Sequence, residues 1–182
     1  MKKFYLILLI SFLIFTCPSI FAADINNQTK QQSFTIKATI NKGCLLTDSA
    51  SFGSLNFGDN ISGLNSSLNT LSNASSGGSI VVKCTPNTSI SIALNTGAHA
   101  GTNIAAGRFL LNSNTNETLR YQLYKDASYS QIWGNNSNGG STLAITTNGL
   151  SQEFKIYGTL FSTTTLPSAG QYADHILVTV TY

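Results

Sequence analysis

Apolar and polar residues alternate with a period of two in several short windows of this 182-residue chain. Such alternation places every second side chain on one face of a β-strand, whereas the 3.6-residue spacing of amphipathic helices is hard to find here. Gly, Asn, Ser and Pro clusters separate the windows, as turns do. The pattern predicts an all-β fold, a sandwich of two antiparallel sheets, with Asn65 to Ser79 as a loop. The predicted strands are residues 34–40, 79–83, 89–94, 119–124, 142–146, 152–157 and 176–182.

The last predicted strand has the most regular apolar face. Period two places Ile176, Val178, Val180 and Tyr182 on one side of it, and the sequence ends there. A strand without a later segment to cover it presents unpaired backbone groups at a sheet edge, and such an edge can pair with another chain. We therefore expect this strand to be a site of pairing with a partner chain.

The first residues have the composition of an export signal. Lys2 and Lys3 precede an apolar run over residues 4–15, and Ala22 follows a break as a small residue suited to cleavage. We predict a signal peptide over residues 1–22, a polar N-terminal extension over residues 23–33, and one domain over residues 34–182.

Charge and cysteine content narrow the function further. Of ten basic residues, eight remain after removal of Lys2 and Lys3, against seven acidic ones. This near-neutral balance gives no footprint for binding nucleic acid. Cys44 and Cys84 are the two cysteines that survive cleavage, and an even number in an exported chain predicts a disulfide. Closing a loop of about 40 residues would stabilise the fold by about 4 kcal/mol on the chain-entropy model.

Catalytic and metal-binding patterns are weak in this sequence. His99 and His175 are far apart in the chain, and no Gly-x-Ser-x-Gly turn is present. We predict that the protein is not an enzyme and holds no metal or cofactor.

Tyr124, Tyr129 and Trp133 lie near an Asn- and Gly-rich loop, and exposed aromatic rings beside amides are typical of sugar sites. Tyr129 and Trp133 are therefore candidate glycan contacts. The interpretation that we favour for Trp133 is a place in the core, because sandwiches often bury such a ring.

Motifs spread over nearly the whole exported chain resemble the secreted spore coat protein U family. Each motif alone is weak, but their order and spacing together are fairly specific. They are Cys44, Leu55-Asn56-Phe57-Gly58, residues 77–85, Leu94-Asn95-Thr96-Gly97, Arg108, residues 119–126, Trp133-Gly134, Ile156-Tyr157-Gly158 and residues 167–174.

The resemblance implies an immunoglobulin-like antiparallel sandwich that lacks its final strand and is completed by donor-strand complementation. It implies a pilus subunit of an archaic chaperone–usher system that serves adhesion and biofilm formation. The implied partners are a periplasmic chaperone, an outer-membrane usher and like subunits in a fibre. The implied route runs through the periplasm to the surface of a Gram-negative bacterium. The alternatives are a carbohydrate-binding adhesin at a pilus tip and a secreted coat or matrix protein without a chaperone.

The position of the donor segment stays open at the sequence level. A donor strand needs alternating apolar residues, and residues 23–32 carry only Ile25. Either Phe34, Ile36, Ala38 and Ile40 are the donor side chains, or they form the first strand of the domain itself. In the second case the protein would only receive strands, as a tip or terminal subunit does.

Overall fold

The structure is a computed structural model that describes residues 30–46, 52–72 and 77–182. The predicted signal peptide and most of the polar extension lie outside these residues. Residues 30–39 belong to a separate unit from the one that begins at Ile40 and ends at Tyr182. Within the described ranges, no helix has the length and apolar character needed to cross a membrane.

Antiparallel strands make up the regular structure of the larger unit. The strands are β1 Cys44–Leu46, β2 Leu68–Leu71, β3 Ile80–Cys84, β4 Ser89–Leu94, β5 Arg108–Leu111, β6 Thr118–Tyr124, β7 Leu143–Thr146, β8 Ser151–Phe154, β9 Tyr157–Leu160 and β10 Val178–Thr181. Hydrogen bonding orders them into three sheets, β1-β3-β8, β10-β4-β7 and β2-β9-β6-β5.

One hydrophobic cluster joins the three sheets. Alternate side chains of β4 and β6 are buried in it, as the period-two pattern requires. The ring of Phe57 packs edge-on against Tyr121 of β6, with 6.1 Å between ring centroids. Phe57 and Leu55 also lie over Gly158, where a Cβ atom would come within 2.8 Å of the Leu55 side chain. The Leu55-Asn56-Phe57-Gly58 motif therefore closes the core over a position at which β9 has no side chain.

The all-β antiparallel fold predicted from the sequence is confirmed, although hydrogen bonding divides the strands into three sheets instead of the expected two. The predictions for β3, β4, β6 and β7 match within one or two residues. The predicted strand at residues 152–157 spans the end of β8 and the start of β9. The loop predicted from Asn65 to Ser79 is wrong in part, because β2 forms there by pairing with β9. Pairing with β9 forms a strand there even though a Ser- and Asn-rich composition favours a loop.

The strand predicted at residues 34–40 is not formed. Residues 30–43 have no regular secondary structure, and residues 30–42 are exposed. A strand requires a neighbour for its backbone N–H and C=O groups, and alternation alone does not supply one.

Candidate functional site

β10 forms one edge of its sheet. It pairs with β4 over Val178↔Leu94 to Thr181↔Ser91, and among the described residues no strand pairs with its other side. Natural edge strands are usually protected by charged residues or proline. The sequence has neither from Ile176 to Tyr182. This strand is therefore an unprotected edge that can accept a further strand.

Along the predicted pairing strand, half-buried and exposed side chains alternate with the period of two that a β-strand requires. Ile176, Val178 and Val180 are half-buried and pack against the core cluster, whereas Leu177 and Thr179 between them are exposed. Half-burial leaves apolar surface that an additional strand could cover. The structure thus brings three of the four predicted residues together on one face.

Tyr182, the fourth, lies at the wall of a shallow cavity of about 450 Å³. Its side chain is 61% exposed. Cys44, Leu45, Pro86 and Gly149 also line the cavity, which therefore lies where β1 and β10 approach the corner between β3 and β4. A cavity of this size can hold an apolar side chain from a partner.

The disulfide predicted between Cys44 and Cys84 is present in the structure. The two residues lie directly opposite each other in the β1–β3 pair. The bond ties the first strand of the domain to β3 beside the cavity.

Hydrogen bonds to the loop after β4 hold the chain as it approaches β10. The Asp174 carboxylate accepts hydrogen bonds from the buried Tyr121 hydroxyl (2.5 Å) and from the Ala98 N–H (2.7 Å). The Leu177 N–H donates to the Asn95 side chain (2.9 Å), and the Asn95 N–H donates to the Leu177 carbonyl (3.1 Å). Burial, reinforced by the bond to Asp174, raises the pKa of Tyr121, so its hydroxyl remains a donor at neutral pH.

A buried arginine lies behind this loop. The Arg108 guanidinium donates to the carbonyls of Asn95 (2.9 Å) and Trp133 (2.7 Å) and to the Gln122 side chain (2.6 Å). Burial lowers the pKa of Arg108 to about 10, so the group still carries its charge at neutral pH. In the sequence, Arg108 stands out only as a motif residue. No signal there distinguishes this buried arginine from an exposed one on an edge strand.

Three of the four candidate donor residues are the most exposed large apolar side chains among the described residues. Phe34, Ile36 and Ile40 are 83%, 82% and 87% exposed, and Ala38 is exposed as well. An exposed apolar row is costly to maintain in water, and it leaves these side chains available to a partner.

The place in the core that we favour for Trp133 is confirmed, and the ring is therefore not exposed to a glycan. Its ring is fully buried, and its indole N–H donates to the Ile92 carbonyl at 3.0 Å. Sandwich cores bury such a ring because one hydrogen bond satisfies its single polar group. Tyr129 is half-exposed, and its ring lies edge-to-face with Tyr124 and Tyr157 at 5.7 and 5.9 Å. In the part of the chain that the structure describes, no group of three or more His, Cys, Asp or Glu side chains could hold a metal ion.

Comparison with known proteins identifies the family of this chain. The family model of the Spore Coat Protein U domain matches residues 30–179. The chain belongs to this family. A search of curated proteins gave no significant match.

Chains of two chaperone–subunit complexes are among the solved structures similar to this chain. One is a chain of the CsuC–CsuE chaperone–tip adhesion subunit pre-assembly complex, from the archaic chaperone-usher Csu pili of Acinetobacter baumannii. It has 20% sequence identity and a TM-score of 0.50 over 79% of this chain and 41% of that chain. The other is a chain of a chaperone–tip adhesin complex of CFA/I fimbriae biogenesis, with 18% identity and a TM-score of 0.45 over 78% and 41%. The present chain thus spans about two fifths of the length of each, and the first likeness shows the fold.

Proposed function

We propose that this protein is a structural subunit of a secreted surface fibre that assembles by strand exchange. The observation that carries the proposal is the free edge of β10, which is long enough to pair, apolar on its inner face and without a protecting charge. An incoming strand would satisfy its backbone groups and cover the half-buried Ile176, Val178 and Val180. In this role the protein has no catalytic function.

We propose that the donor is the segment with Phe34, Ile36, Ala38 and Ile40 of a second copy. The segment is exposed and forms no strand of its own. Paired with a neighbour's β10, its alternate side chains would enter the acceptor surface together. The chain would then both give and receive strands, as a subunit within a fibre must.

The proposed route follows from the same exposed edge. A free edge invites aggregation, so a periplasmic chaperone should cover β10 after export by the residues 1–22 signal. An outer-membrane usher should then exchange the chaperone for the next subunit at the cell surface, where the fibre serves adhesion and biofilm formation. The solved complex from Csu pili pairs a chaperone with a pilus subunit, and this supports such a partner. Reading frames for both partners beside this gene would separate the proposal from a free-standing coat protein.

The donor and acceptor roles can be tested by matched substitutions. The double variant Phe34→Asp/Ile36→Asp should block fibre growth and leave the chaperone–subunit complex intact, because the segment lies outside the sheets. The control is Thr35→Asp/Thr39→Asp, which places the same two charges on the other face of the segment and should permit growth. Co-purification with the chaperone and electron microscopy of fibres give the two readouts.

Two results would overturn the proposal. Loss of the chaperone complex in the double variant would identify the segment as an internal strand and the protein as a receiver only. Deletion of residues 178–182 should abolish chaperone binding, and a stable truncated monomer in normal yield would mean that the edge is already closed.

A further inference from the structure

We propose that Asp174 is a positioning residue for the acceptor strand. With Tyr121 and the loop of residues 95–98 it forms a clamp, hereafter the β10 clamp, that holds the start of β10 in place before a donor arrives. The inference rests on the proposed function, because it concerns how the proposed acceptor edge is prepared for pairing.

The contacts of Asp174 use both of its carboxylate oxygens. One oxygen accepts from the Tyr121 hydroxyl, which belongs to β6 of the four-stranded sheet. The other accepts from the Ala98 N–H and from the His175 N–H at 2.8 Å. Gly97 has a φ of +89°, and a Cβ atom there would overlap the carboxylate. Glycine is therefore required at position 97 for two reasons: it adopts the positive φ readily, and it leaves room for the Asp174 carboxylate.

The clamp lies where the chain changes sheets. Just before it, Ala173 exchanges two backbone hydrogen bonds with Leu111 and closes the β5 edge. Just after it, Leu177 is bonded on both backbone groups to Asn95, whose carbonyl is itself held by Arg108. The Asn95–Leu177 bonds continue the pairing of β10 with β4, and the bonds of Ala173 and Asp174 fix the chain just before that pairing begins.

A fixed edge binds a strand better than a loose one. If β10 occupied its paired position only part of the time, the apparent affinity for a donor would fall by that fraction. Charge-assisted hydrogen bonds are stronger than bonds between neutral groups, and the bond from the Tyr121 hydroxyl is also partly buried. The clamp therefore raises the affinity of β10 for a donor strand, although none of its residues needs to contact the donor.

The test measures the affinity of a synthetic peptide of residues 30–42 for full chains. These chains all carry Phe34→Asp/Ile36→Asp, so that they cannot donate strands to one another. Asp174→Ala in this background should weaken peptide binding about tenfold and speed amide hydrogen exchange at residues 176–181. Because Asp174→Ala leaves a buried hydroxyl without a partner, the double change Tyr121→Phe/Asp174→Ala is measured as well. It removes both partners, so it should keep the fold and show the same loss of affinity.

The matched control is Tyr172→Phe. Tyr172 also donates to a carboxylate, that of Glu117 at 2.8 Å, but this pair is exposed and closes no contact with β10. Tyr172→Phe should leave the peptide affinity and the amide exchange at residues 176–181 unchanged. Asp174→Asn keeps an acceptor for the Ala98 N–H, so it should recover much of the peptide affinity. Unchanged affinity and unchanged exchange in the double variant would overturn the inference. If the peptide fails to bind the parent chain, the proposed function fails instead, and the exchange rates still show whether the clamp holds β10.

Discussion

Residues 34–40 and strand β4 carry the same sequence pattern and have opposite fates. Both alternate cleanly between apolar and polar side chains. In β4, Ile90, Ile92 and Leu94 are at most 3% exposed, and the strand has hydrogen-bonded neighbours on both sides. In residues 34–40 the apolar side chains are exposed and no strand forms.

The difference shows that alternation reports an ability to be buried, and that a neighbouring strand decides whether burial takes place. β4 finds its neighbours, β10 and β7, within its own chain. Residues 34–40 show none among the described residues of this chain. Under the proposed strand exchange, their neighbour is β10 of another molecule. β10 is intermediate between the two cases, because among the described residues it has a hydrogen-bonded neighbour on one side only.

The largest effect expected from this comparison is on folding. Ile92→Asp should prevent accumulation of folded protein, because an unpaired buried carboxylate costs several kcal/mol, comparable with the whole stability of a domain. Phe34→Asp should leave the melting temperature unchanged, since Phe34 is exposed. The yield of folded protein is compared for the two variants, and thermal unfolding is measured for purified Phe34→Asp against the parent protein. A Phe34→Asp variant that melts many degrees lower would show that residues 34–40 belong to the fold.

A smaller effect is expected from the bond between β1 and β3. Cys44→Ser/Cys84→Ser should lower the free energy of unfolding by roughly 2 to 4 kcal/mol, which denaturant titration measures. Because the bond lies beside the cavity near β10, donor-peptide binding should weaken in the same variant. Equal stability with and without the bond would mean that the disulfide does not stabilise the acceptor.

The smallest effect concerns the β5 edge of the four-stranded sheet, which Ala173 closes. Backbone and side-chain hydrogen bonds from Ser168 and Tyr172 lower the pKa of Glu117 below its ordinary value. A lowered folded-state pKa contributes stability above the ordinary value, and the contribution disappears as pH falls through the folded pKa. Glu117→Gln should therefore flatten the acid limb of the stability profile slightly and leave strand exchange at β10 unaffected. An altered rate of exchange would mean that the two edges are coupled.

Much of the fold could be predicted from local pattern, and the failures have physical causes. β3, β4 and β6 are recognisable because their apolar residues alternate and are buried by their own sheets. β2 and β5 are not recognisable. The Leu-Asn-Thr-Leu sequence of β2 does not alternate and lies in a Ser- and Asn-rich stretch, and in β5 the charged Arg108 is buried where a charge is not expected. Trp133 needed the tertiary structure, because the same ring beside the same loop could face either the core or the solvent. The clamp at Asp174 joins residues far apart in sequence, and no local pattern shows it.

Donation of residues 34–40 to β10 of another subunit is tested most directly by photocrosslinking in assembled fibres. A photoreactive phenylalanine analogue at position 34 is activated in fibres grown from mixed isotopically light and heavy subunits, and the crosslinked peptides are mapped by mass spectrometry. We predict mixed light–heavy crosslinks from position 34 to residues 176–182 or to the cavity beside Cys44. Crosslinks confined to single molecules, or mixed crosslinks that avoid β10 and the cavity, would contradict strand donation.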